Sequence, residues 1–139
     1  MSSCVPVLVA AVVSVFCLWV AAEQDMLSVF NKCKLQTKAT ESDIETFKKQ
    51  EIPSSTTGKC LLACMFNDSG LMSNGKYDVQ GAHNLARQVY QTSPEKMEKA
   101  KQVVDTCAKE VNSFQGDECD LAAQVATCTM KTSATVGLA

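Results

Sequence analysis

The chain has 139 residues and a formal net charge of −2, with no long run of one sign. That size fits one small domain, and the faint acidity leaves no footprint for nucleic acid or an anionic membrane. Eight cysteines in so short a chain point to an oxidising compartment if the chain is exported.

An export signal stands at the start. Val5 to Val20 is almost wholly apolar, broken mainly by Pro6 and Ser14. Residues 1–22 carry no charge, and Val20-Ala21-Ala22 precedes Glu23-Gln24-Asp25. Small residues at −3 and −1 suit signal peptidase, so cleavage is expected after Ala22. The rival reading is a membrane anchor. The apolar run is short for a span of about 20 residues, and no basic residues flank it. Cleavage would remove Cys4, Cys17 and Trp19, the only tryptophan. Residues 23–139 would remain as one domain, with no membrane insertion. It keeps Cys33, Cys60, Cys64, Cys107, Cys119 and Cys128. An even number in a small exported domain reads as three disulfides, with the connectivity open.

Along the mature chain, apolar residues recur at spacings of three and four, and strict alternation is absent. Met26, Val29, Phe30 and Cys33 give a first helical face. Thr40 caps a short second helix with Asp43 three residues on, an imperfect capping box. Ile44 and Phe47 are its buried pair, and Pro53 closes the segment. Ser54 to Thr57 is a polar run suited to cap a third helix.

That third helix, about Thr57 to Asn67, is apolar nearly all round and is expected to be central. It holds Cys60 and Cys64 four residues apart, on nearly one face. A disulfide between them would sit awkwardly on a helix, so each is expected to reach a different partner. Gly70 and Asn74-Gly75 are stop and turn signals. A fourth helix, about Val79 to Tyr90, buries Ala82, Leu85, Ala86 and Val89. Ser93-Pro94 opens the fifth, expected to be the longest, with its stripe at Met97, Ala100, Val103, Val104, Cys107, Ala108 and Val111. Gly116-Asp117 breaks and recaps the chain. The last helix, about Glu118 to Lys131, carries Cys119, Leu121, Ala122, Val125 and Cys128. Cys119 and Cys128 fall on opposite sides, about 13.5 Å apart along the axis, and cannot pair on an intact helix. Thr132 to Ala139 reads as a small, polar tail. The fold class is all-α, about six helices with no sheet.

The cysteine spacing is Cys33-x26-Cys60-x3-Cys64-x42-Cys107-x11-Cys119-x8-Cys128. It resembles the insect odorant-binding protein family in its six-cysteine form. The x3 and x8 intervals are the fixed ones of that family, and the resemblance covers the whole mature chain. It implies the pairing Cys33–Cys64, Cys60–Cys119 and Cys107–Cys128, three interlocked bridges holding six helices around an apolar cavity. It also implies a secreted carrier of small hydrophobic ligands, odorants or pheromones, that serves olfactory receptors. The same fold could equally carry hydrophobic molecules in haemolymph, gut or reproductive secretions. The expected partners are a volatile hydrophobic ligand and a membrane odorant receptor, with the protein a monomer or weak homodimer.

Candidate cavity-wall residues are Phe30, Ile44 and Phe47 from the first two helices. Leu61, Leu62, Met65 and Phe66 come from the third, with Leu71 and Met72 after it. Leu85, Val89, Val104, Val111, Phe114 and Val125 complete the set. Methionine and phenylalanine suit a mouldable pocket. Each could instead pack core. Thr57, Tyr77 and Tyr90 are candidates to orient a polar ligand head. Eleven residues follow Cys128, which resembles the shorter-tailed members of the family. There the C-terminus lies across the pocket mouth, so Val136 and Leu138 are expected to form a lid, released at low pH.

Catalytic equipment is not expected. His83 is the single histidine, without a nucleophile to serve, and a zinc site would want several His or Cys ligands. Asp43/Glu45 and Asp117/Glu118/Asp120 sit at helix N-termini, where the dipole favours them. No phosphate loop or dinucleotide fingerprint is present, and no cofactor is expected. Asn67-Asp68-Ser69 has the form of a glycosylation sequon. A saposin-like membrane-active domain would cluster its cysteines near both chain ends. A secreted phospholipase would need a His–Asp pair beside a calcium loop. Neither pattern is here.

Overall fold

The computed structural model describes residues 27–138. The signal segment with its cleavage point, Cys4, Cys17, Trp19, Met26 and Ala139 lie outside the described residues. The first helix, α1, is described over 27–37 and gives way to a left-handed Lys38 at φ 56°. Thr40 then caps α2, Glu41–Lys48. Its hydroxyl accepts from the Asp43 amide at 3.1 Å, and the Asp43 carboxylate accepts from the Thr40 amide at 2.9 Å. The capping box is therefore complete, with aspartate in the place usually held by glutamate.

Asp43 does more than cap. It is buried, and the hydroxyls of Ser55 and Thr57 both donate to it. One carboxylate thus ties α2 to the start of α3. Thr57, expected to face a ligand head, is committed to this carboxylate. Burial pushes the Asp43 carboxyl up, but the bonds from Ser55, Thr57 and Thr40 outweigh it and hold it at about 2. A depressed carboxyl stabilises the fold above its unfolded value, about 4, and that stabilisation is lost as pH falls through the folded value. Asp43→Asn turns an N–H toward at least one donor, and is expected to cost about 2 kcal/mol at pH 7. Denaturant titrations from pH 7 to pH 2 test it. The gap between wild type and variant should hold to about pH 4 and close below it. A gap that stays constant down to pH 2 would show that the carboxylate charge is not what matters.

Helix α3, Thr56–Ser69, is capped by Ser55, whose hydroxyl accepts from the Gly58 amide at 3.0 Å. It ends at Gly70, φ 84°, the left-handed stop that glycine reaches without strain. The helix runs one residue earlier and two later than the expected Thr57 to Asn67. Its cover is uneven: Leu61 and Ala63 are buried, while Leu62, Met65 and Phe66 are half-buried.

A short hairpin follows, which the sequence reading did not include. β1 (Met72–Ser73) pairs antiparallel with β2 (Lys76–Tyr77), with Met72 opposite Tyr77. Asn74 and Gly75 have φ of 53° and 74°, the two positive values that a tight Asn-Gly hairpin turn needs. Two residues per strand are too few to display alternation.

Helices α4 (Val79–Tyr90) and α5 (Pro94–Val111) start at Asp78 and Ser93, each of which caps with its side chain. Helix α6 is Glu118–Val136, capped by Asp117 and closed by Gly137. At 19 residues α6 exceeds the 18 of α5, which the pattern had marked as the longest. The difference lies in the tail: residues 132–136 continue the helix.

The most extensive packing is of α3 on α6, then α5 on α6 and α4 on α5. One core cluster gathers Ala63, Met72, Val111, Leu121, Ala122 and Val125. A second joins Val103, Cys107 and Cys128. The disulfides are Cys33–Cys64, Cys60–Cys119 and Cys107–Cys128, with Cα separations of 5.6, 4.4 and 5.8 Å. This is the pairing that the family resemblance implied. It ties α1 to α3, α3 to α6 and α5 to α6.

Candidate functional site

An apolar cavity of about 200 Å³ lies between α4, α5 and α6. Helix α4 contributes Ala82, Leu85, Ala86, Val89 and Tyr90, and α5 contributes Ala100, Val103 and Val104. Leu71 and Tyr77 close the hairpin side, and Thr129, Ser133 and Leu138 come from α6 and the residues after it. The local sequence explains the space. Alanines at 82, 86 and 100 stand where larger residues would let the helices meet and fill the gap.

The expected wall residues divide. Leu71, Leu85, Val89, Val104 and Leu138 line this cavity, with Val89 at an exposed edge. Met72, Val111 and Val125 are in the first core cluster, with Leu62, Phe66 and Phe114 packed against it. Leu61 is 1% exposed and Ile44 is buried. Phe30 and Phe47 face each other across α1 and α2, ring centroids 5.1 Å apart, a tilted pair that holds those helices together. Met65 is half-buried on α3, and this cavity does not bring it to its wall. Val136 packs with Leu138 against Val103, Cys107 and Cys128. The Leu138 amide donates to the Ser133 carbonyl at 2.8 Å. That turn folds Leu138 back onto the cavity.

Ala82, Ala86, Ala100, Val103, Thr129 and Ser133 were not singled out as wall residues. The first four belong to helix stripes and look like core by their spacing. Tyr77 and Tyr90 also line the cavity. Burial, with the Asp105 carboxylate nearby, pushes the Tyr77 phenol up to about 12. It is a neutral donor throughout the physiological range.

Two other hollows are larger but charged. One, about 440 Å³, lies beside the Cys60 and Cys64 bridges and is lined by Gln36, Asn67, Asp68 and Glu118 among others. The sequon residue Asn67 is exposed there, its side-chain amide donating to Glu118 at 3.4 Å. The other, about 370 Å³, lies on the α4–α5 surface with His83, Arg87, Glu98 and Lys101. His83 pairs with Asp105 at 3.1 Å and lines this hollow, not the apolar one. Cys107, Glu110 and Cys128 bring three ligand-type atoms within 4.8 Å. Two of these are disulfide sulfurs, and the metal ligand is the thiolate. Among the described residues no helix is long and apolar enough to cross a membrane.

The model of the PBP/GOBP family matches residues 19–132. The chain belongs to the PBP/GOBP family. It is 33% identical over 97 residues to General odorant-binding protein 28a of Drosophila melanogaster, covering 69% of this chain. The aligned stretch spans 66% of that relative's own length, just under two thirds. The solved structure of odorant-binding protein dmelOBP28a from the same species superposes with a TM-score of 0.70 at 29% identity. It covers 86% of this chain and 98% of that one. A pheromone-binding protein of the cockroach Leucophaea maderae, solved with the fluorescent reporter ANS, gives 0.62 at 32% identity. It covers 76% of this chain and 90% of its own. The three bridges and six helices are thus the PBP/GOBP framework, and the all-α fold follows with it.

Proposed function

We propose that the protein is a secreted, non-catalytic carrier that holds one small hydrophobic molecule between α4, α5 and α6 and delivers it to olfactory receptors. The observation that carries the reading is the apolar cavity of about 200 Å³ between α4 and the disulfide-joined helices α5 and α6. An apolar molecule gains by leaving water for such a space, and the bridges offset packing lost around it. The family and the ANS-bound cockroach relative support the same reading. Three disulfides support an exported protein, and the leader at 1–22 would supply the route. Leu138, folded onto the cavity, is the proposed lid residue, with Val136 packed beside it.

Calorimetric titration with a panel of volatile alcohols, aldehydes and esters tests the carrier role. Ala100 is buried on the cavity wall, so Ala100→Phe should place a ring in the space. Affinity for every ligand bound by the wild type is expected to fall at least about ten-fold, with the helical circular dichroism kept. Silence of the whole panel at high micromolar concentration would end the carrier reading. Unchanged affinity in the filled variant would move the site elsewhere.

A further inference from the structure

Residues 67–69 carry a motif that ligand carriage leaves unused. Asn67-Asp68-Ser69 is the one Asn-x-Ser/Thr triplet in the chain, and all three residues are exposed at the end of α3. None of them belongs to either core cluster. The Asn67 amide donates to the exposed Glu118 at 3.4 Å. Ser69 donates to the Phe66 carbonyl of its own last turn, and Asp68 pairs with Lys32 across the surface. Asn67 and Asp68 also line the hollow of about 440 Å³ beside the Cys60 and Cys64 bridges.

We propose that Asn67 is an N-glycosylation site and that its glycan covers this hollow. The proposal rests on the exported reading, because the donor, a lipid-pyrophosphate-linked oligosaccharide, is met on the secretory route. In the transfer, Nδ2 of Asn67 forms a bond to the anomeric carbon of the sugar. The bond from that carbon to the pyrophosphate oxygen breaks, the lipid pyrophosphate leaves with the electron pair, and the amide gives up one proton. The nitrogen keeps its other hydrogen, so it can still donate to Glu118. The connectivity leaves the site open while the chain is made. Helix α3 packs chiefly on α6, and Cys60 waits for Cys119. A chain growing at roughly 5–20 residues per second takes about 3–12 s to cover that separation of 59 residues. In that interval the end of α3 lacks the helix it packs on. The finished hollow suits a sugar. It offers Gln36, Thr37 and Glu118 to the hydroxyls, and Ala63 with the bridge sulfurs to the ring carbons.

The test is secretion of the full chain from insect cells, with mass spectrometry of the protein in the medium. The wild type is expected to carry the mass of one glycan, and a peptide N-glycosidase should remove it and leave an aspartate at that position. Asn67→Gln and Ser69→Ala should each lose the whole shift, and Ser69→Thr should keep it. In Asn67→Gln the Cys60–Cys119 bridge should open to a small neutral thiol at least about two-fold faster than in the glycosylated wild type, because exchange needs access to sulfur. The buried Cys107–Cys128 bridge is the control and should open at the same rate in both. Protein in the medium without leader or glycan would overturn the site and leave export standing. A shift that survives Ser69→Ala would overturn the assignment to this motif. An unchanged rate at Cys60–Cys119 would overturn the covering of the hollow. Retention of the whole chain in the cell, leader attached, would sink the exported reading and this site with it.

Discussion

The variant carrying Cys60→Ala with Cys119→Ala should unfold with about 4 kcal/mol less stability than the wild type. The bridge closes a sequence separation of 59 residues, against 31 and 21 for the other two. In the chain-entropy account the longest loop restrains the unfolded chain most, and a loop of that length gives about 4 kcal/mol. The native state should change little. Helices α3 and α6, which this bridge joins, already pack more extensively than any other pair, so removing the sulfur link leaves their contact in place. The expected signature is therefore a lower guanidinium midpoint with unchanged native circular dichroism. A loss below about 1 kcal/mol, with the other two bridges intact, would mean that the unfolded chain is already compact.

Gly81→Ala should cost about 3 kcal/mol, more than most glycine substitutions in a helix. A Cβ at position 81 would lie 1.8 Å from the carbonyl oxygen of Gly70. Both groups are backbone, so neither can swing aside. To admit one methyl group, the first turn of α4 must move off the end of α3, and the hairpin between them must move too. In an ordinary exposed helix alanine is the better residue by about 1 kcal/mol, so the sign of the effect is itself diagnostic. Gly116→Ala is the control. Its nearest neighbour is the ring of Phe114 at 2.8 Å, and that ring can rotate. Thermal melts of both variants decide the matter. A Gly81→Ala protein that melts with the wild type would mean that α4 docks less closely than the structure has it.

The helix starts were legible because each is marked by a side chain that bonds its own first turn. Thr40, Ser93 and Asp117 carry that signal without help from the rest of the fold. The end of α6 was not legible, for a reason that lies in its side chains. Beyond Cys128 its stripe runs through Thr129, Thr132, Ser133 and Val136, where an apolar pattern is expected to continue. Hydroxyls replace apolar groups where the helix faces the cavity and the Cys107–Cys128 bridge. The loss of periodicity there reads as a polar tail.

The cavity itself was only half legible. Val104 on its wall and Val111 in the packed core sit on one face of one helix. Spacing places both inward and cannot say what stands opposite. That is decided by alanines on a neighbouring element, as at Ala82 and Ala86. Likewise Asp43 reads as an ordinary first-turn carboxylate. Its bonds from Ser55 and Thr57 span twelve and fourteen residues, beyond the reach of any local pattern.

The bridges make a covalent net over α1, α3, α5 and α6. Helix α4 has no cysteine and yet forms the largest share of the cavity wall. It hangs between the hairpin and the turn at Ser93, held laterally by its packing on α5. Moving α4 away from the shell therefore breaks noncovalent contacts alone, along α5 and where its first turn meets the end of α3 at Gly70. Thiol reagents would loosen the frame, but the residence time of a bound molecule would answer to how tightly α4 rests on α5.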